Sequence, residues 1–390
     1  METNNSNSYK NSKNLVILIT TLFVLITVAL LVIASFVISK TNIFSKPTLG
    51  TKADQCIFYI EKKSIYNLPK DQEYNNCNDA VKSLKDEYSV YFTKPEYDKF
   101  INSVNNTYSG VGIAIDQFNV DESKTNIIIT KVFESTPAKA AGLKERDLIL
   151  AVNDTSTDNK KTDEISKIIR GEENTTVKLK IKSGDNIYEK DITRRKVEIP
   201  TVELTITDDT AYISISSFTM NLYEEFNQKT KSIQTNPNIK KIVIDLRSNG
   251  GGSLESAVDL IGAFTPRNTH AVSEILKEGD KKLYTKREPL FTNKKLIIVG
   301  DENTASASEI SMISLKEKAN AILIGKKTYG KGVVQQLIDL DNGDVIKLTI
   351  AEWTSPSGYK INKTGIIPDK ELELIGPITD PKNIEILKGI

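Results

Sequence analysis

The residues best placed to do chemistry are two serines, a lysine and a run of three glycines, carried by three separate segments. In DENTASASEISMISLKEKA a small-residue turn feeds a helical run. Serines at a helix mouth normally cap free backbone N–H groups, which suits Ser308. Ser306 lies where helix-end amides face a developing negative charge, the setting of a nucleophile. In KKTYGKGVVQQ, Lys331 stands between two glycines. On spacing alone that is a solvated turn. The flanking AILIG and VVQQLIDL read as buried strands, however, and a desolvated lysine gives up its proton more easily. Such an amine can take the proton of a serine hydroxyl, the Ser-Lys form of nucleophilic catalysis. Gln335 is spaced to orient that amine. In IVIDLRSNGGGSLESAVDLI the glycines do not form a phosphate cradle, because neither GxxxxGK[ST] nor GxGxxG is matched. Their N–H groups suit an oxyanion hole, with Asp245 and Arg247 as structural partners.

The elements that must hold these residues follow from periodicity. From Ile199 onward strands and helices alternate (AYISISSF, NLYEEFNQKTKSIQ, KKIVIDL, GSLESAVDLIGAF, LIIVG), which signals an α/β layer architecture. Between Tyr108 and Arg195, Val, Ile and Thr alternate between Gly, Asn and Asp turns, with two interposed helical runs, so a compact β-rich block is expected. Ahead of it, Cys77–Tyr88 and the stretch from Pro95 to Val104 have helical character. Leu15–Ser39 is an uncharged apolar run, longer than the roughly 20 residues needed to cross a bilayer core. It lacks the small-residue cleavage site of a signal peptide, so an uncleaved anchor is expected. Lysines flank it on both sides, and only the large body after it points outward.

Composition closes off other classes. The 52 basic and 51 acidic residues leave no basic footprint for nucleic acid. The chain has one histidine, His270, which cannot supply both a zinc site and a base, so no metal or other cofactor is expected. Cys56 and Cys77, the two cysteines, read equally as a disulfide or as two free thiols.

Taken together, DLRSNGGG, TASASEI, TYGKGVVQ, GVGIAI, STPAKAAGLKERDLILAVN and TSPSGYKIN…GIIPD resemble the carboxyl-terminal processing (tail-specific) proteases, from about Ala80 to Leu374. The resemblance implies Ser306 as nucleophile, Lys331 as general base and Gln335 as its support. It places the oxyanion donors at Gly251 or Gly252 with the amide of Ala307. It further implies a crotonase/Clp-protease-like α/β core with an inserted PDZ domain. In that domain Gly110, Val111, Gly112 and Ile113 would bind a terminal carboxylate, and Arg170 would help to couple tail binding to catalysis. The family often has proline where Gly250 stands and glycine where Asn303 stands.

The expected organisation is an N-terminal tail (1–14), a transmembrane anchor (15–39), a tether (40–76), a helical part (77–107), the PDZ domain (108–195), the peptidase core (196–375) and a C-terminal tail (376–390). Expected partners are proteins or peptides with a free C-terminus and the membrane, through the N-terminal helix; a homo-oligomer is left open. The expected location is the cell membrane, with the catalytic part extracytoplasmic. The competing reading is a catalytically silent PDZ-type adaptor. The joint presence of Ser306 and Lys331 weighs against it.

Overall fold

A computed structural model describes residues 52–121 and 124–390. The apolar run Leu15–Ser39 lies outside them, and among the described residues no helix is long and apolar enough to cross a membrane. The architecture below belongs to the unit Cys56–Ile390.

The centre of the molecule is a six-stranded sheet in the order Val202–Thr207, Thr210–Ile215, Lys241–Asp245, Lys295–Gly300, Ile322–Gly325, Lys370–Glu371. The first pair is antiparallel and the others are parallel. Parallel strands are covered on both faces and so read as continuous apolar runs, as KIVID and KLIIVG do. Alternate residues divide between two cores. Ile242, Ile244, Leu296 and Ile298 face the helices Leu222–Gln234, Leu254–Gly262 and Ala307–Ala319. Val243, Ile297 and Val299 face the other side with Leu387. That side is closed by the helix Pro381–Lys388, which the sequence reading had as a plain tail.

A second sheet contains Val90–Phe92, Val345–Thr354, His270–Leu276 and Gly279–Tyr284, with Val333–Asp339 paired to Val345–Thr354. The hairpin 270–284 was not anticipated from the sequence. The N-terminal region packs on this sheet through Ile60, Ala80 and Val81 against Ile346 and Leu348. Here two expectations change. The segment read as a tether contains a helix, Lys52–Lys63, and the second helix stops at Ser83 rather than running to Tyr88. Cys56 and Cys77 are joined in a disulfide with Cα atoms 5.4 Å apart, which ties these two helices together.

The inserted block is a separate sheet with its own core around Val111, Ile127, Ile149, Leu179 and Ile181. Its order is Ile113–Asp121, Lys124–Val132, Leu148–Val152, Thr176–Ser183, Asn186–Thr193. Thr107–Gly110 and Arg195–Glu198 pair as a two-stranded neck at its entry and exit. Ile113–Asp121 ends the sheet, leaving one edge unpaired, with the helix Thr162–Ile169 alongside.

Candidate active site

The strand Lys295–Gly300 delivers the chain into a turn that Asp301 organises. Its carboxylate accepts from Ser248 N at 2.9 Å, Asn303 N at 3.1 Å and Thr304 Oγ1 at 3.0 Å. Thr304 Oγ1 also lies 2.8 Å from Leu246 O, so its one proton is shared between the two acceptors and links this turn to the glycine loop. The turn ends at Ser306, which occupies the N-cap of the helix Ala307–Ala319 with φ +57° and ψ −119°. A serine held there stores strain on the order of 1–3 kcal/mol, a cost that persists only where surroundings over-determine the backbone. The same strand, strained turn and helix present the nucleophile in serine hydrolases with a nucleophile elbow. Ser308 is not the cap expected of it. It lies inside the helix, fully buried, and its hydroxyl donates to Asn249 O at 3.0 Å.

Lys331 is held by its main chain at both ends. Its N–H donates to Glu309 Oε2 at 3.0 Å, and its carbonyl accepts from Trp353 Nε1 at 3.0 Å. Glu309, three residues beyond Ser306 and fully buried, also accepts from Ser306 N at 2.8 Å, Gly330 N at 2.8 Å and Thr328 Oγ1. One carboxylate oxygen therefore receives the amides of both Ser306 and Lys331, so the two nitrogens cannot be further apart than those two bonds laid end to end. Burial pushes the Glu309 carboxyl above its ordinary range while its four donors pull against that.

The side chains are less completely assembled than the main chain. The half-buried Lys331 amine makes no hydrogen bond or ion pair among the described residues, and lies 4.7 Å from the centroid of the Tyr88 ring. Burial, then the positive charge of Lys347, holds it below the usual lysine range, against the pull of Asp86, Glu87 and Glu309. Gln335 makes no hydrogen bond to the amine among the described residues. It sits at a register shift between Val333–Asp339 and Val345–Thr354, and its Nε2 donates to Thr349 Oγ1 at 3.3 Å.

The glycine turn lies directly against Ser306. Gly251 has φ +95°, and a Cβ there would stand 2.7 Å from Ala305 O and 2.8 Å from Ala307 N, so only glycine fits. Its amide, however, donates to Asn249 Oδ1 at 2.9 Å and is not free for an oxyanion. The amides of Gly252 and Ala307 have no protein acceptor among the described residues. Gly250 has open space at its Cβ position and no positive φ. Asp245 and Arg247 form a bidentate pair, and Arg247 also donates to the carbonyls of Leu374 and Gly376.

In the inserted block, Val111 is wholly in the core and Gly112 has φ +89°, with Thr136 Cβ 2.3 Å from where a Cβ would be. The carbonyls of Val111 and Gly112 accept from Ala138 N and Phe133 N, which fixes the loop. The Tyr108 hydroxyl is in hydrogen-bonding reach of the Gly112 and Ile113 amides, and the Arg170 guanidinium lies 4.8 Å from the Tyr108 ring centroid. Sequence reasoning missed Asn249, Glu309, Tyr88 and Tyr108. The first two had a signal, a polar residue next to a glycine run and an acid three positions after a helix-cap serine.

A mixed α/β core with a serine on a strained helix cap, a glycine turn against it and an inserted carboxylate-loop module defines a class. The protein belongs to peptidase family S41, among its CtpA-like serine proteases. The S41 peptidase pattern matches residues 209–372, and a PDZ domain pattern matches residues 128–183. The chain is 30% identical to the probable CtpA-like serine protease of Staphylococcus aureus strain MRSA252, over 95% of this chain and 76% of that one. It is 31% identical to the carboxy-terminal processing protease CtpA of Bacillus subtilis strain 168, over 75% of this chain and 62% of that one. A relative in Staphylococcus haemolyticus is 33% identical, and there the match spans 58% of the relative's length. The fold is that of a putative S41 protease from Bacteroides fragilis, with a TM-score of 0.57, 17% identity and coverage of 85% and 96% of the two chains. It is also that of the photosystem II D1 C-terminal processing protease, with a TM-score of 0.51, 22% identity and coverage of 85% and 89%.

Proposed function

We propose that this protein is a serine endopeptidase that recognises the C-terminal region of protein substrates and cuts them with a Ser306–Lys331 dyad. The observation that carries the reading is the shared Glu309 oxygen, which brings the backbone of a strained, helix-capping serine to that of a half-buried lysine. Neutral Lys331 takes the Ser306 proton as Oγ attacks the scissile carbonyl, and the developing oxyanion is received by the Gly252 and Ala307 amides. The ammonium then gives its proton to the leaving amine. Water completes hydrolysis of the acyl-enzyme by the same base.

A substrate tail adds as a strand to the open edge of Ile113–Asp121, with its carboxylate at the Gly110–Ile113 loop and Arg170 beside it. The body lies outside the cytoplasm behind a Leu15–Ser39 anchor. The apolar run itself and the Cys56–Cys77 disulfide, a bond that persists in oxidising compartments, support that placement.

The test is cleavage of an unstructured polypeptide with a free C-terminus by the full chain in detergent. Ser306→Ala and Lys331→Ala should each lose about 10⁴-fold or more in kcat/KM with an unchanged circular dichroism spectrum. Persistent cleavage by either folded variant would rule out the dyad and leave the peptide-docking reading.

A further inference from the structure

The amine that must deprotonate Ser306 has an aromatic neighbour that no step of the proposed chemistry uses. Tyr88 lies in the segment between the helix Cys77–Ser83 and the strand Val90–Phe92, and that segment is fixed at several points. Asp86 Oδ1 accepts from Tyr88 N at 3.2 Å, Asp86 also accepts from the Ser89 hydroxyl, and Thr349 N donates to Ser89 Oγ at 3.0 Å. The Tyr88 phenol lies close enough to that of Tyr329, two residues before Lys331, for Tyr329 to influence its titration. Tyr329 N in turn donates to Thr304 O at 3.0 Å, in the nucleophile turn. The ring is thus tied to both catalytic loops, and the Lys331 amine lies 4.7 Å from its centroid.

We propose that the Tyr88 ring is the seat of the general base: it holds Lys331 while the amine is an ammonium and releases it toward Ser306 once the proton has left. Tyr88 is on this view a positioning residue, acting through Lys331 and never touching substrate. The argument rests on the dyad reading and on the chemistry of an aromatic face. The ring quadrupole attracts a cation, and the attraction is strongest where water is excluded; a neutral amine has no such hold. Burial keeps the phenol neutral, so the partner is the ring and not a phenolate. The proton is lost to solvent, and the freed amine then accepts one from the Ser306 hydroxyl.

The other groups facing the amine are Lys347 on Val345–Thr354, which disfavours its charge, and three carboxylates that favour it. These are Asp86 and Glu87 on the Tyr88 segment and Glu309 on the nucleophile helix. The ring adds to the carboxylates' side. Weakening it should therefore let the amine lose its proton at lower pH.

The experiment is the pH profile of kcat/KM for the full chain in detergent, with an unstructured polypeptide as substrate. Tyr88→Phe keeps the ring and should leave the rising limb in place. The same substitution with the ring fluorinated at three positions keeps the shape but removes the negative face. It should move the limb to lower pH by about half a unit to one unit, so that the rate below the limb rises about three- to tenfold. Tyr88→Leu should move it the same way. A limb unmoved or displaced to higher pH in the fluorinated protein, with Lys331→Ala still inactive, overturns the seat and leaves the dyad standing. Full activity of folded Lys331→Ala overturns the dyad and the seat with it.

Discussion

Two regions of the molecule, each proposed to offer backbone N–H groups to a negative charge, are built differently. Both use a glycine with positive φ packed so tightly that no Cβ fits, Gly112 in the PDZ loop and Gly251 in the peptidase turn. In the PDZ loop the amides of Gly112 and Ile113 face the hydroxyl of Tyr108, a half-buried side chain. In the peptidase turn the amide facing a side chain is that of Gly251, and its partner is Asn249, which is fully buried. Asn249 also donates to Ile215 O at 2.7 Å and accepts through its carbonyl from Ala305 N at 3.0 Å and the Ser308 hydroxyl, so it is part of the frame. The first loop faces a half-buried aromatic side chain. The second gives up one amide to be rigid and keeps Gly252 and Ala307 open.

The sharpest way to break this contrast is at Glu309, which serves the rigid region alone. Glu309→Gln keeps the size but turns one acceptor into a donor facing N–H groups. Misplacing a reacting group by about 1 Å can cost on the order of 100-fold, and kcat should fall by about that much with KM little changed. Loss of hydrogen bonds to a buried charge should also reduce stability by about 1.5–3 kcal/mol. Tail-peptide binding should stay as in the parent protein. A variant with normal kcat would show that Glu309 is only a helix cap.

The PDZ loop is probed at Tyr108. Tyr108→Phe keeps the ring under Arg170 but removes the hydroxyl that competes for the Gly112 and Ile113 amides. A peptide with a free terminal carboxylate should bind about two- to tenfold more tightly, the size of one net hydrogen bond, while an amidated peptide should gain little. Equal gains for both would mean that the hydroxyl does not occupy the carboxylate position.

This contrast also marks how far the sequence could be read. Glycine runs, the helix mouth at Ser306 and the alternation after Ile199 are local signals, because turn geometry, helix ends and buried parallel strands each impose a residue pattern. What occupies the amides is not local. Asn249 was passed over beside three glycines, and Gly251 or Gly252 was expected to donate to an oxyanion, because nothing in NGGG says that the Gly251 amide is already taken. Gln335 was expected beside Lys331 on spacing, but the register shift after Val334 turns it to Thr349. Tyr88 reaches Lys331 across 243 positions of sequence (331 − 88), a neighbourhood that only the pairing of Val90–Phe92 with Val345–Thr354 creates. Leu15–Ser39, the most legible segment of all, falls outside the described residues.

The smallest expected effect lies at Lys347, whose charge acts on the Lys331 amine. Lys347 sits over the rings of Phe92 and Phe100, 5.9 and 5.1 Å from their centroids, and its own ammonium is disfavoured by burial. Like charges disfavour each other's protonation, so Lys347 helps Lys331 to be neutral. Lys347→Met keeps the stem over the rings and removes the charge. With one repulsion gone, Lys331 holds its proton to higher pH, and because the neutral amine is the active form, the rising limb of kcat/KM should move up, by on the order of half a unit. Tyr88→Leu and the fluorinated ring are expected to move the same limb down. A shift of the limb in one direction for both substitutions would mean that it does not report the Lys331 amine, since one change removes a group that opposes its charge and the other a group that supports it.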